Sequence, residues 1–261
     1  MIDIHSHILP GVDDGSKSME ETLGMVSQLY EAGFKTLIAT PHVMEGKDFL
    51  CPAEILAATE QICQRVAEAG ISIRILPGAE NYIFPDMAKW ACEGKLMTLG
   101  NTGKYLLLEF PMLGIPHYTD QVFFELQVNG ITPVLAHPER YRGLFEEPEH
   151  LMNWVKKGIL LQLDLRSLDG KYGPQPKQLA EIILQHDLIH FIGSDAHRVS
   201  RSESTYPEAL RSVKKIVGEQ KFGEVTLSIP QTMLEGKFLQ GVRDYFVEEP
   251  VLKKRKGVFW G

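Results

Sequence analysis

The chain has 261 residues, 44% hydrophobic and 23% charged, with a formal net charge of −7. That is enough sequence for a full-size core in one domain, and no apolar run approaches the roughly 20 residues needed to cross a bilayer. The acidic balance disfavours a broad nucleic-acid footprint. Cys51, Cys63 and Cys92 lack metal-finger spacing and read as inert thiols of a reducing compartment, the cytoplasm.

The first seven residues carry neither a basic leader nor an apolar signal core. They form a strand-like run in which His5 and His7, two apart, leave from one face, with Asp3 on that face to orient a ligand. Pro10-Gly11-Val12-Asp13-Asp14-Gly15 follows as a tight turn presenting carboxylates. Residues 18–32 space Met19, Leu23, Val26 and Leu29 along a helical face, with Ser18 and Glu21 in capping-box spacing and Gly33 as the stop. The apolar run over 36–42 ends in Thr40-Pro41-His42. A helix over 52–69 opens on Pro52 and closes at Gly70.

The run over 73–80 ends in Gly78-Ala79-Glu80, and a short helix is predicted over 86–93. The run over 104–109 ends in Glu109, a carboxylate that a buried strand tolerates only beside a cation or hydrogen-bond donors. A helix over 119–128 leads to the run over 132–137, ending in Ala136-His137-Pro138-Glu139-Arg140. Helices over 148–157 and 175–185 bracket an apolar run over 159–165. The run over 189–197 ends in Gly193-Ser194-Asp195-Ala196-His197, repeating the two-residue spacing of His5 and His7. After a helix over 207–217, residues 218–241 read as a final helical cover. The basic cluster Lys253-Lys254-Arg255-Lys256 then reads as a solvated tail or a contact for an acidic or membrane partner.

Nearly all-apolar strands alternating with helices predict a parallel α/β sheet covered on both faces. Seven such units in one undivided domain over 1–261 favour a distorted (β/α)7 TIM-like barrel, and barrels keep their chemistry at the C-terminal ends of the strands. His5, His7, Asp14, His42, Glu80, Glu109, His137, Asp195 and His197 all lie at, or just past, those ends.

Five neutral imidazoles and four carboxylates supply a charge of −4, and nine ligands at about three or four per ion serve two or three divalent cations. Three cations leave the site positive, so it attracts anions such as phosphate esters. Ligation by nitrogen and oxygen without thiolate suits manganese, iron or zinc. Arg140 and Arg201 are placed to grip a phosphate through two oxygens or to sit in surface ion pairs. Arg198 reads as a surface residue, and His117, His150, His186 and His190 as solvated or satisfied core positions.

The stretch Asp3-Ile4-His5-Ser6-His7-Ile8-Leu9-Pro10-Gly11-Val12-Asp13-Asp14-Gly15, with the other five endings, resembles the polymerase-and-histidinol-phosphatase superfamily. Val12-Asp13-Asp14-Gly15 and His137-Pro138-Glu139-Arg140-Tyr141 make it most similar to the manganese-dependent bacterial protein tyrosine phosphatases of capsule and exopolysaccharide operons. The resemblance runs from residue 1 to about 200. It implies a distorted seven-stranded barrel with three metals. His5, His7, Glu80 and Asp195 would hold one, Glu80 as a bridge with Glu109 and His137 a second, and Asp14, His42 and His197 the third. It also implies attack of a metal-activated hydroxide on phosphorus, with Arg140 and Arg201 positioning the phosphate. The implied substrate is the phosphorylated tyrosine cluster at the C-terminus of a cognate bacterial tyrosine kinase, and an oligomeric assembly is compatible with it. A histidinol-phosphate or other small-molecule phosphomonoesterase is the alternative enzyme. A metal-stabilised module that binds phosphoprotein without turnover is the alternative from another class.

Overall fold

The computed structural model describes residues 1–46, 49–202 and 205–239. Nine strands alternate with helices among them: β1 (Ile2–Ser6), β2 (Thr36–Ala39), β3 (His42–Val43), β4 (Arg74–Pro77), β5 (Glu80–Tyr82), β6 (Tyr105–Glu109), β7 (Thr132–Ala136), β8 (Leu160–Asp164) and β9 (Phe191–Gly193). Every pairing is parallel. β1, β2 and β4 form one sheet, and β3, β5, β6, β7, β8 and β9 the other.

Two runs that read as single strands are broken. Residues 36–42 divide into β2 and β3, and 73–80 into β4 and β5. Pro41 has no N–H to give a ladder. Gly78 lies so close to the neighbouring strand that a Cβ there would stand 2.6 Å from a methyl of Ile38. Both breaks fall at the same level, because β2 pairs with β4 below them and β3 with β5 above. Counted through the breaks, the nine pieces follow seven paths. A bridge between Ser6 and Ala196 joins the first path to the last, curling the sheet into a distorted barrel.

Helices form where capping and periodicity agree. α1 (Met19–Glu31) starts with Ser18 Oγ accepting the Glu21 N–H at 3.2 Å, and Gly33, at φ +102°, turns the chain out of it. Only half of the expected capping box is present, since the Glu21 carboxylate takes the Lys17 N–H instead. α2 (Pro52–Glu68) buries Ile55, Thr59, Ile62 and Val66 against the sheet side. The remaining helices are α3 (Met87–Cys92), α4 (Thr119–Val128), α5 (Arg142–Glu146), α6 (Glu149–Lys156), α7 (Pro174–Gln185), α8 (Thr205–Gly223) and α9 (Ile229–Leu234). A left-handed Gly218 interrupts α8 at the point where the helix over 207–217 was expected to stop.

The apolar residues fall into two clusters. The larger packs helices onto the outside of the sheet. The smaller draws Ile4, Ile38, Leu107, Val134, Leu160 and Phe191 from six different strands, so it fills the inside of the ring, and Met233 of α9 closes it from the N-terminal side. The final helical cover is therefore a plug under the barrel. Tyr105 Oη holds its far end by donating to the Lys237 carbonyl at 2.6 Å. Residues 240 and 241 and the basic cluster at 253–256 lie outside the described residues. Among the described residues, no helix is long and apolar enough to cross a membrane. The three cysteines are free, Cys51 and Cys63 half-buried and Cys92 exposed.

Candidate metal centre

With the interior plugged at the N-terminal side, polar groups collect at the other mouth. His7 follows β1, Glu109 ends β6, His137 follows β7 and Asp195 follows β9. His42 and Glu80 reach the same level differently from expectation: each opens the short strand beyond a break rather than closing a long one.

His5 Nε2 and His7 Nε2 face each other at 3.0 Å. Glu80 Oε2 stands 3.2 Å from the first and 3.4 Å from the second. Asp195 Oδ1 stands 3.4 and 3.2 Å from them. The opposite ring nitrogens are occupied, His5 Nδ1 by Gln162 Oε1 at 2.8 Å and His7 Nδ1 by Asp13 Oδ2 at 2.8 Å. Both partners are acceptors, so each ring carries a proton on Nδ1 and, when neutral, turns its Nε2 lone pair inward. Glu80 Oε2 and Asp195 Oδ1 are buried without a hydrogen-bond donor. Four ligand-type atoms thus converge, and their mutual repulsion is relieved only by protons taken up by the rings or by a bound cation.

Two further groups adjoin this one. His137 Nε2 lies 2.8 Å from Glu80 Oε1 and 4.0 Å from Glu109 Oε1. His42 Nδ1 lies 3.0 Å from Glu80 Oε2 and 3.3 Å from Glu109 Oε2. On the outer side, His42 Nε2 and His197 Nε2 share Asp14 Oδ1 at 3.4 and 3.3 Å. The ligand-type atoms of His7, Asp14, His42 and His197 lie within 4.8 Å of one another, as do those of His5, His7 and Glu80 and those of His42, Glu80 and Glu109. All nine candidates therefore meet at one mouth. The grouping differs from the implied one in two respects: His42 faces both Asp14 and the Glu80–Glu109 pair, and His7 stands with both neighbouring groups.

Electrostatics follow the geometry. Burial pulls His5 down, but Glu80 and Asp195 outweigh it and raise the ring to about 9. His7 rises likewise against burial, through Asp13, Asp195 and Glu80. Burial raises Glu80 and Asp195, yet the surrounding imidazoles hold both well below the usual carboxylate range. A proton and a divalent cation compete for such a place.

Two backbone features hold the cluster. Gly15 N–H donates to Asp13 Oδ1 at 2.8 Å, and a Cβ on Gly15 would collide with the His7 backbone. At Gly193 a Cβ would stand 2.6 Å from Gln162 Nε2 and 2.7 Å from His5 Cβ, so glycine there lets Gln162 reach His5. His137 and Asp195 both adopt left-handed backbone, at φ 31° and 44°, a conformation that is costly for residues with a Cβ. Asp3 does not orient an imidazole. Its Oδ1 accepts the His5 and Ser194 N–H groups at 3.2 and 2.9 Å, tying the first strand to the last.

Arg140 is largely buried, its Nη1 2.5 Å from Asp195 Oδ2. Arg201 is exposed on the loop after β9. Arg198 donates to the carbonyls of Asp14, Gly15 and His197, and so braces the acidic turn. Four residues near the centre went unassigned in the sequence: Asp13, Gln162, Asp164 and Tyr172. Gln162 and Asp164 did leave a signal, as two polar residues in an otherwise apolar strand; Tyr172 left none.

Residues 1–235 match the profile of the family described as capsular polysaccharide synthesis, CpsB/CapC. The chain belongs to the CpsB/CapC family. It is 38% identical to the tyrosine-protein phosphatase YwqE of Bacillus subtilis over 220 residues, covering 84% of this chain and 86% of that one. Among solved structures it is similar to one described with YwqE from B. subtilis and CpsB from Streptococcus pneumoniae as unique metal-dependent tyrosine phosphatases. That likeness has a TM-score of 0.85, 34% identity, and coverage of 92% and 96% of the two chains. A histidinol phosphate phosphatase from Lactococcus lactis shares the CpsB/CapC fold at TM-score 0.53, with 17% identity over 87% of this chain and 95% of that one.

Proposed function

We propose that this chain is a metal-dependent protein tyrosine phosphatase. The observation that carries the reading is the pair of buried imidazoles aimed through Nδ1 by Gln162 and Asp13, so that both Nε2 atoms meet one oxygen each of Glu80 and Asp195. Of the chemistries such a centre can serve, family membership and the likeness to metal-dependent tyrosine phosphatases select this one.

The residues fit divalent ions. His5, His7, Glu80 and Asp195 would hold one; Glu80, Glu109 and His137, with His42 in reach, a second; Asp14, His42 and His197 a third. The donor set of nitrogen and oxygen suits manganese, with iron or zinc as the alternatives. Bound ions would polarise the phosphoryl oxygens and activate water. The protein's own part is to aim the imidazoles through their Nδ1 partners, to hold the carboxylates ionised, and to offer the Arg140 guanidinium to two phosphate oxygens. Arg201, on the rim, supplies a second and weaker contact. The substrate is phosphotyrosine on a protein, the C-terminal tyrosine cluster of a bacterial tyrosine kinase, met in the cytoplasm, where free thiols persist. Residues 1–261 act as one catalytic domain.

The test is turnover of a phosphotyrosine peptide by chelator-stripped protein reloaded with manganese, with His42→Ala as control. Manganese-dependent phosphate release, lost in His42→Ala, is expected. Hydrolysis of histidinol phosphate without peptide turnover would make the chain a metabolic phosphatase, and metal binding with neither activity would make it a binding module.

A further inference from the structure

Among the described residues the Arg140 guanidinium has three side-chain partners, of which one, Asp195, belongs to the candidate metal centre. Its Nη1 lies 2.5 Å from Asp195 Oδ2 and 3.7 Å from Asp164 Oδ2. The guanidinium carbon stands 4.4 Å from the centre of the Tyr172 ring. Asp164 is fully buried at the end of β8. Its Oδ1 accepts the Arg166 N–H at 2.8 Å, Oδ2 faces Arg140, and the Tyr172 hydroxyl lies against the same carboxylate. Tyr172 is half-buried on the loop between β8 and α7, and Lys171 Nζ donates to its hydroxyl at 2.8 Å.

A metal bound by Asp195 would draw that carboxylate away from the guanidinium. Asp164 and Tyr172 have no such competing duty. A long arginine side chain loses rotamer freedom when fixed. A buried counter-charge and an aromatic face are the two surroundings that hold a guanidinium in one plane without covering its N–H fork.

We propose that Asp164 and Tyr172 are positioning residues for Arg140: the carboxylate anchors one end of the guanidinium, and the ring supports its face. The remaining N–H groups are thereby presented to the phosphate oxygens. This inference rests on the phosphatase reading above. It separates the three partners by what they sense: Asp195 senses the metal, and Asp164 and Tyr172 set the arginine.

The experiment uses full-length, manganese-loaded protein and reads two quantities: the affinity for inorganic phosphate by calorimetry, and KM and kcat for an aryl phosphate. Tyr172→Leu should weaken phosphate binding and raise KM by about 3- to 10-fold, while Tyr172→Phe, which keeps the ring, stays within about twofold. In an Arg140→Ala background, Tyr172→Leu should have no further effect on either quantity, because the ring acts only through the arginine. Asp164→Asn should behave as Tyr172→Leu does, with manganese content unchanged. Tyr172→Leu indistinguishable from the parent overturns the inference, as does an equal loss with and without Arg140. A folded wild type that hydrolyses no aryl phosphate sinks the phosphatase reading and takes the inference with it. An active wild type with a silent Tyr172→Leu sinks the inference alone.

Discussion

His5, in β1, and His190, just before β9, are buried imidazoles at opposite ends of the same barrel, and their surroundings drive them in opposite directions. His190, just before β9 on the plugged side, has Nδ1 accepting the Leu161 N–H at 3.2 Å. Burial, with Lys221 nearby, pushes it down to about 3. His5, at the open mouth, meets the same burial, yet Glu80 and Asp195 reverse its effect and lift it to about 9. Carboxylates divide in the same way. Glu80 is ringed by imidazoles and held low, whereas Glu139 has Asp164 for a neighbour and is raised to about 8 by burial and that charge. Burial sets the starting point for a titratable group, and neighbours decide whether its site wants a proton, a cation or neither.

Substitutions at matched positions test that contrast. Glu80→Gln should lower both manganese content and turnover by about 100-fold or more, since it removes a charge shared by several donors. Glu139→Gln, in an equally buried place, should leave manganese content within about threefold, because a carboxyl raised by burial is already largely neutral. Metal analysis of both proteins after dialysis decides the matter; equal losses would dissolve the distinction. A smaller effect is expected one layer out. Gln162→Leu or Asp13→Asn should weaken manganese binding by about 10- to 100-fold through loss of ring orientation, as read by calorimetric titration.

The plugged end yields a prediction in pH. His190 has an ordinary value of 6.5 when unfolded and about 3 when folded, so between those values the unfolded chain binds more protons. Stability should therefore fall as pH drops from 6.5 towards 3, and His190→Asn, which keeps an acceptor for Leu161, should flatten that fall. Urea midpoints at pH 7 and pH 5 measure it; parallel slopes for the two proteins would refute it. The smallest effect belongs to Arg201→Ala. Loss of an exposed charge contact should raise KM by no more than about fivefold.

The fold was legible because apolar runs and helical periodicity are local properties. The two broken strands were not, since Pro41 and Gly78 mark interruptions only when the neighbouring strand is known. The nine ligand-type residues stood out through their chemistry and their place after apolar runs. Their arrangement did not, because His42 turns one ring nitrogen inward to Glu80 and Glu109 and the other outward to Asp14. Gln162 and Asp13 acquire meaning only through contacts with rings 157 and 6 positions away. Tyr172 lies in a loop whose sequence gives no sign of the guanidinium above it.

The seam where the barrel closes has a consequence for the order of assembly during synthesis. Ser6 bridges to Ala196, and the His7 and Asp195 N–H groups bond the Ala196 and His5 carbonyls across it at 2.9 and 3.0 Å. His5 leaves a ribosome 190 residues ahead of Asp195, and His7 the same distance ahead of His197. A nascent chain can therefore expose two histidines long before it can complete the centre. The group of His5, His7, Glu80 and Asp195 comes into being only once the last strand has docked against the first.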